Sequence, residues 1–283
     1  MNIVLVCINN FQEYILINIE QLIRLGHDKI YVITNGRFFD KFSQYSNNLT
    51  LIDCDELEET YNFNNTTTLS KEFRGGFWML TSTRFFYIYS FMKKYNIENV
   101  IHLENDVLIY YNCSVLNDKV NKNYVYLPFD TFQRNIASIM YIPNHQVFKE
   151  ILDTYDYTKN DMENFSRIMQ QTNLIHNFPI FIQGHESINP NPECDFVSRN
   201  YDVFQCIFDA AAMGQYLGGV DPRNQAGNTA GFINETCVIK YNNYTFIWKG
   251  EDLRRPYLQI KDKIIPIFNL HIHSKNLGKF QSV

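Results

Sequence analysis

The sequence predicts an α/β fold with a mostly parallel central sheet flanked by helices, Rossmann-like, in a single domain. Three observations predict it. The chain opens in the order strand, helix, strand, strand. The strands are continuous apolar runs rather than alternating ones, as expected where both faces of a sheet are covered. Each run also stops at a polar turn, the place where such sheets bind ligands.

The elements follow in order. Residues 3–8 are a strand-length apolar run ending at Asn9-Asn10. Residues 11–25 place apolar side chains at 15, 16, 19, 22, 23 and 25, a helical stripe closed by Gly26. Residues 29–34 form the next strand, stopped by Asn35-Gly36, and 49–52 the third, ending at Asp53. Residues 56–76 are polar and contain glycine, so a mobile loop is expected. A long helix over 79–94 leads into a strand at 100–103. Strands are expected at 124–127 and 137–142, and a helix at 146–153. From 154 to 200 the periodicity weakens, with Pro179, Pro190 and Pro192 breaking the pattern. A helix is expected over 203–216, closed by Gly218-Gly219, and a last strand over 264–273, followed by a basic tail. No internal repeat interrupts this order, which reads as one continuous domain.

Composition narrows the function classes. A chain of 283 residues can bury a large core. Its 45% hydrophobic and 19% charged residues are ordinary for a globular protein. A net charge of −5 supplies no basic stripe, so nucleic acid is not the expected partner. No apolar run approaches the ~20 residues of a membrane helix, so no transmembrane segment is expected. Cysteines 7, 54, 113, 194, 206 and 237 are scattered without a CxxC pair. They read as reduced thiols, and with no basic leader at the N-terminus the expected location is cytoplasmic. The aromatic share of 16% serves cores first, although aromatics around 155–181 could also stack on a glycan.

The chemistry concentrates at Glu104-Asn105-Asp106, immediately past the strand at 100–103. Two carboxylates one residue apart make a compact anionic turn that can hold a hard divalent cation and, through it, a diphosphate. A solvated or helix-capping turn is the plainer reading of such a triplet. The stretch from Thr83-Arg84-Phe85-Phe86 to Ile101-His102-Leu103-Glu104-Asn105-Asp106 resembles the GT-A glycosyltransferases, whose DxD motif follows a central strand of a nucleotide fold. The resemblance implies a sugar transferase with a nucleoside diphosphate donor, a UDP-sugar first, a glycan or glycoprotein acceptor, and Mn²⁺ or Mg²⁺, and it divides the chain into a nucleotide-binding half, about 1–135, and an acceptor half, about 136–283. Here a Glu stands at 104 where that family more often has Asp. Its longer side chain sets the carboxylate further out, which makes Asp106 the firmer metal ligand. Arg84 on the preceding helix would bind diphosphate, orient the acidic pair, or simply be an ion-paired arginine. Asn105 would lie at the donor.

Further candidates follow from position. In a strand, His271 and His273 share a face, and Lys275 follows at the same spacing. Some GT-A families supply a late histidine to the metal; His273 is the first choice and His271 the second, with Lys275 on the diphosphate. Ordinary hydrogen-bonded strand histidines are the alternative. The segment Asp209-Ala210-Ala211-Ala212-Met213-Gly214 is rich in small residues, which permit close backbone approach. It resembles the acceptor side of GT-A enzymes, so Asp209 is the candidate catalytic base, or else a helix cap. Asp221-Pro222-Arg223-Asn224 has the same ambiguity as a turn. Asn9, Asn10 and Asp53, at strand ends, correspond to the edges where GT-A folds meet the nucleoside. Two other functions compete. A nucleotidyltransferase would carry an early glycine-rich loop, and Cys7-Ile8-Asn9-Asn10-Phe11-Gln12 contains no glycine. A non-catalytic sugar- or nucleotide-binding protein could keep the fold without turnover.

Overall fold

The computed structural model describes residues 1–184, 191–224 and 229–283; Pro190 lies outside them. The opening is as the sequence predicts: β1 (Asn2–Cys7), α1 (Tyr14–Arg24), β2 (Ile30–Thr34) and β3 (Leu49–Asp53). After a short helix α2 (Phe63–Thr66), the long α3 (Phe77–Tyr95) leads into β4 (Val100–Leu103). The strands β3-β2-β1-β4 pair parallel in that order. Because the chain leaves β1 outward to β3 and returns on its other side as β4, strand order reverses between β1 and β4. A crevice for ligands opens at such a reversal, beyond the carboxyl ends of the strands.

Alternation along β1 shows why the sheet is covered twice. Ile3, Leu5 and Cys7 pack with Ile15, Ile19 and Leu22 of α1, whereas Val4 packs with Phe85, Ile88 and Met92 of α3. Covered on both sides, β4 is buried at every position.

Beyond β4 the sheet turns antiparallel. The short β5 (Val107–Ile109) leaves the main sheet, which continues with β6 (Val125–Thr131), β7 (Arg134–Asn135) and β8 (Ile139–Ile142). β8 pairs antiparallel with both β4 and β6. Helix α4 (His145–Asp153) matches expectation. The weakly periodic region holds an eleven-residue helix, α5 (Asp161–Gln171), and a strand, β9 (Ile175–Phe178), parallel to β6. A capping box starts α5: Asn160 accepts from the Glu163 N–H while Glu163 accepts from the Asn160 N–H. Tyr155, Phe165, Phe178 and Phe181 are buried in the cores rather than offered to a glycan.

Two expected elements are broken. The helix expected over 203–216 is a short α7 (Tyr201–Phe204), preceded by α6 (Cys194–Val197), and then a separate α8 (Ala212–Gly218). Gln205 takes a left-handed backbone, φ 56°, and Ile207 and Phe208 donate to the carbonyls of Pro266 and Pro179. The expected last strand divides at Pro266. Its first part joins the small antiparallel sheet of β10 (Thr245–Lys249), β11 (Arg255–Ile260) and β12 (Lys263–Pro266). Its second part, β13 (Asn269–His271), pairs with β5. No helix among the described residues is long and apolar enough to cross a membrane, and the six cysteines are buried and free of disulfides.

Candidate active site

At the β1/β4 crevice lies a cavity of about 710 Å³. Glu104 and Asp106 leave the end of β4 and enter its floor. The turn is held from behind: the Asn18 amide donates to the carbonyls of Glu104 and Asn105, each at 3.3 Å. The Asn105 amide donates to the Val6 carbonyl and to Gln12. Its nitrogen is therefore structural, while its buried Oδ1 has no partner among the described residues.

β13 and the turn after it bring His271 and Lys275 to the site because β13 pairs with β5, the strand that follows the acidic turn. His271 lies opposite Val107, and its Nε2 sits 2.8 Å from a Glu104 oxygen and 3.3 Å from an Asp106 oxygen. Lys275 forms an ion pair with Asp106 and stands 3.9 Å from Asp221. Arg84 of α3 pairs with Glu104 and, at 3.1 Å, with Asp161 at the start of α5. Asp161 also accepts from Thr81. Asp221 is held by Arg223, whose guanidinium lies over the Phe77 ring. The cavity is thus ringed by alternating charges, from Asp161 through Arg84, Glu104, His271, Asp106 and Lys275 to Asp221 and Arg223.

Electrostatics follow this ring. Burial would raise the Glu104 carboxyl, but Arg84 and then His271 hold it well below the usual range. Burial opposes ionisation of Asp106 too, and Lys275 and His271 override it. For His271 burial favours the neutral ring, yet the Asp106 and Glu104 charges keep it protonated. His273 goes the other way: burial and then the neighbouring His271 charge press it down to about 3, so it is neutral. An isolated histidine of ordinary pKa would do neither.

The structure brings together Glu104, Asn105, Asp106, Arg84 and Lys275, and Asn10 also lines the cavity. It revises other assignments. His271, the second choice, is the histidine that reaches the carboxylates; its ring and the oxygens of Glu104 and Asp106 offer ligand atoms within 4.8 Å of one another. His273 lines the same cavity one step away, its Nδ1 3.5 Å from Gln215 and its buried Nε2 without a partner among the described residues. The reason is the split of the expected strand: β13 ends at His271, and His273 already lies in the following turn. Asp209 is not at the cavity. It is 1% exposed, and its oxygens accept from the N–H groups of Met213, Gly214 and His271 at 3.0, 2.8 and 2.9 Å. Its oxygens are thus occupied by main-chain N–H groups and closed off from the cavity. Asp53 accepts from the Gly36 and Asp55 N–H groups and stands apart from the cavity lining. Asn9 likewise spends its N–H on Asn35 and its carbonyl on Arg37.

Sequence reasoning passed over Asp161, Arg134 and Trp78, all of which line the cavity. The Asn160-x-x-Glu163 capping signature marked the start of α5 and hence the placement of Asp161. Trp78 precedes the expected start of its helix at 79 by one residue, because α3 begins at Phe77.

No protein-family model matches the chain, and no curated protein matches it. Among solved structures it is similar to the glycosyltransferase GlyE of Streptococcus pneumoniae TIGR4, at 15% identity over 67% of this chain and 49% of that one, with a TM-score of 0.41. The chain thus spans about half the length of GlyE. Mouse xyloside xylosyltransferase 1 is 9% identical over 72% of this chain and 93% of that one, with a TM-score of 0.43. A cytidylyltransferase from Leptospira borgpetersenii serovar Hardjo-bovis is 11% identical over 70% and 79%, with a TM-score of 0.38. These neighbours are glycosyltransferases and a nucleotidyltransferase. At such identities and TM-scores, what the chain does has to be read from its own residues.

Proposed function

We propose that residues 1–283 form a single GT-A glycosyltransferase domain using Mn²⁺ or Mg²⁺. It moves a hexosyl or N-acetylhexosaminyl group from a nucleoside diphosphate donor, a UDP-sugar first, to a hydroxyl of a glycan or glycoprotein. The observation that carries this reading is the convergence of Glu104, Asp106 and His271 at the β1/β4 crevice. Two carboxylates and an imidazole, once the ring gives up the proton that the carboxylates hold on it, suit a hard-to-intermediate divalent ion. His273 also lines this cavity, and its buried Nε2, without a hydrogen-bond partner among the described residues, is one more nitrogen available there. When bound, the cation supplies neutralisation of the charge on a departing diphosphate.

The protein's own groups divide the remaining work. Arg84 is fixed between Glu104 and Asp161, so it orients the acidic turn rather than receiving phosphate. Lys275, beside Asp106, and Arg223, above Phe77, can turn to a diphosphate. Asn10 and Gln12, at the end of β1, face the donor side. Asp209 anchors the fold instead of acting as a base.

Calorimetric titration of UDP with Mn²⁺, then with EDTA, tests the reading. Metal-dependent binding that Asp106→Ala abolishes is expected. Silence from UDP, GDP, CDP and dTDP under both conditions would leave a non-catalytic relative of the fold.

A further inference from the structure

We propose that Arg134 reads an anionic substituent on the sugar occupying the far end of the cavity, so that the acceptor is a carboxylate- or phosphate-bearing glycan. Calling that sugar the acceptor rests on the glycosyltransferase reading; the anion preference itself does not.

Position comes first. Sheet order places the β1 loop on one side of the acidic turn and the segment before β8 on the other. The Glu104 N–H donates to the Ser138 carbonyl at 2.9 Å, so residues 134–138 run on past the end of β4. Arg134 and Ile136 line the cavity there, with Met162 of α5. This is the end opposite Asn10 and Gln12.

Arg134 is also short of partners. Among the described residues its guanidinium makes no hydrogen bond, and its nearest carboxylate oxygen, on Asp130, is 3.9 Å away. That distance is beyond hydrogen-bond reach. Asp130 lies on a β-bulge, where the β6–β7 register shifts between Phe129 and Thr131. It is 1% exposed, and among the described residues neither of its oxygens comes within hydrogen-bond reach of Arg134. The carboxylates on the open side are taken: Asp161 by Arg84 and Thr81, Glu104 by Arg84 and His271.

Arg134 therefore differs from Arg84, whose two terminal nitrogens are each taken by a protein carboxylate. Its side chain keeps 27% exposure at a cavity wall. A guanidinium presents paired N–H groups in a plane, which match a carboxylate or phosphate bidentately. Apolar walls at Ile136 and Met162 strengthen such a contact by lowering the local dielectric. Trp78 in the same lining offers a flat apolar face for a sugar ring.

The test compares methyl glucuronide, methyl glucoside and glucose 6-phosphate by NMR titration of the Mg²⁺–UDP-loaded protein. The first two differ only by the carboxylate. At least about tenfold tighter binding of the glucuronide or the phosphate is expected, equivalent to ~1.4 kcal/mol. Arg134→Gln should bring all three within about twofold, and Arg134→Lys should keep part of the preference. Preference for the phosphate alone assigns the anion to a phosphorylated glycan. Equal binding of all three by the wild-type protein overturns the proposal, as does a preference surviving Arg134→Gln. If Arg134→Gln does not fold, the wild-type comparison and Arg134→Lys still decide. UDP binding is read on the same samples. Nucleotide binding without anion preference sinks this inference alone; anion preference without nucleotide binding sinks the glycosyltransferase reading and leaves the Arg134 subsite standing.

Discussion

Asp106 and Asp209 are both buried, 5% and 1% exposed, and both lie close to His271. They do opposite things. Asp106 faces side chains, Lys275 and the His271 ring, which can move and exchange partners. Asp209 faces backbone, three N–H groups that cannot. The same histidine serves both, giving its main-chain N–H to Asp209 and its ring to Asp106. One carboxylate thus fixes the strand that carries the other's partner. A buried acid is identified as chemical or architectural by what it touches; burial alone does not separate the two.

The largest way to break this contrast is to remove each acid in turn. Asp106→Ala should weaken Mn²⁺-dependent UDP binding on the order of 100-fold or more, because even groups that merely support a metal ligand contribute 10–100-fold. Its melting temperature should stay within a few degrees of wild type. Asp209→Ala should reverse the pattern. Three N–H groups would lose their acceptor at ~1 kcal/mol each, a loss of about 3 kcal/mol. That corresponds to roughly 6–12 °C in melting temperature. The folded fraction should still bind UDP within about threefold of wild type by calorimetry. A stable Asp209→Ala protein with no turnover would restore Asp209 as a catalytic base.

A pH series sharpens the same point with a smaller effect. Burial pushes the Asp209 carboxyl up to about 6, against the pull of the His271, Gly214 and Met213 N–H groups. Unfolded, it titrates near ~3.9. Between those values the folded chain holds the proton more tightly, so this contribution is complete below about pH 4. It is lost as pH rises through about 6. Two units correspond to at most ~3 kcal/mol. Urea denaturation from pH 4 to 7 should show that decline in the wild type and its absence in Asp209→Asn.

Much of the parallel half was legible because its signals are local. Unbroken apolar runs at 3–8 and 29–34, the Gly26 stop and the acidic turn after 100–103 each depend on a few neighbouring residues. What stayed hidden depends on residues far apart in sequence. Nothing near Asp209 shows that the backbone of His271, 62 residues on, will take its oxygen. The division of the strand at Pro266 decided which histidine reaches Asp106, and the apolar run through 264–272 masked it. Arg134 carried no local mark, since its want of a hydrogen bond among the described residues follows from a bulge and a cavity wall built by three separate segments.

Gly214 links the two aspartates and gives the subtlest test. A Cβ at this position would lie 2.0 Å from the His271 carbonyl oxygen and 3.1 Å from Asp209 Oδ2. The first is backbone, which cannot swing aside as a side-chain tip can. Gly214→Ala must therefore push α8 away from β13, at about 1–3 kcal/mol of stability. The same displacement carries the His271 ring off Glu104 and Asp106, because its main chain is the part being pushed. Mn²⁺-dependent UDP binding should weaken by severalfold, less than in Asp106→Ala, although residue 214 is outside the cavity lining. Stability and binding falling together in this variant mean that the anchor aims the site. Lost stability with unchanged Mn²⁺ affinity would mean that His271 is aimed by its pairing with Val107 on β5 instead.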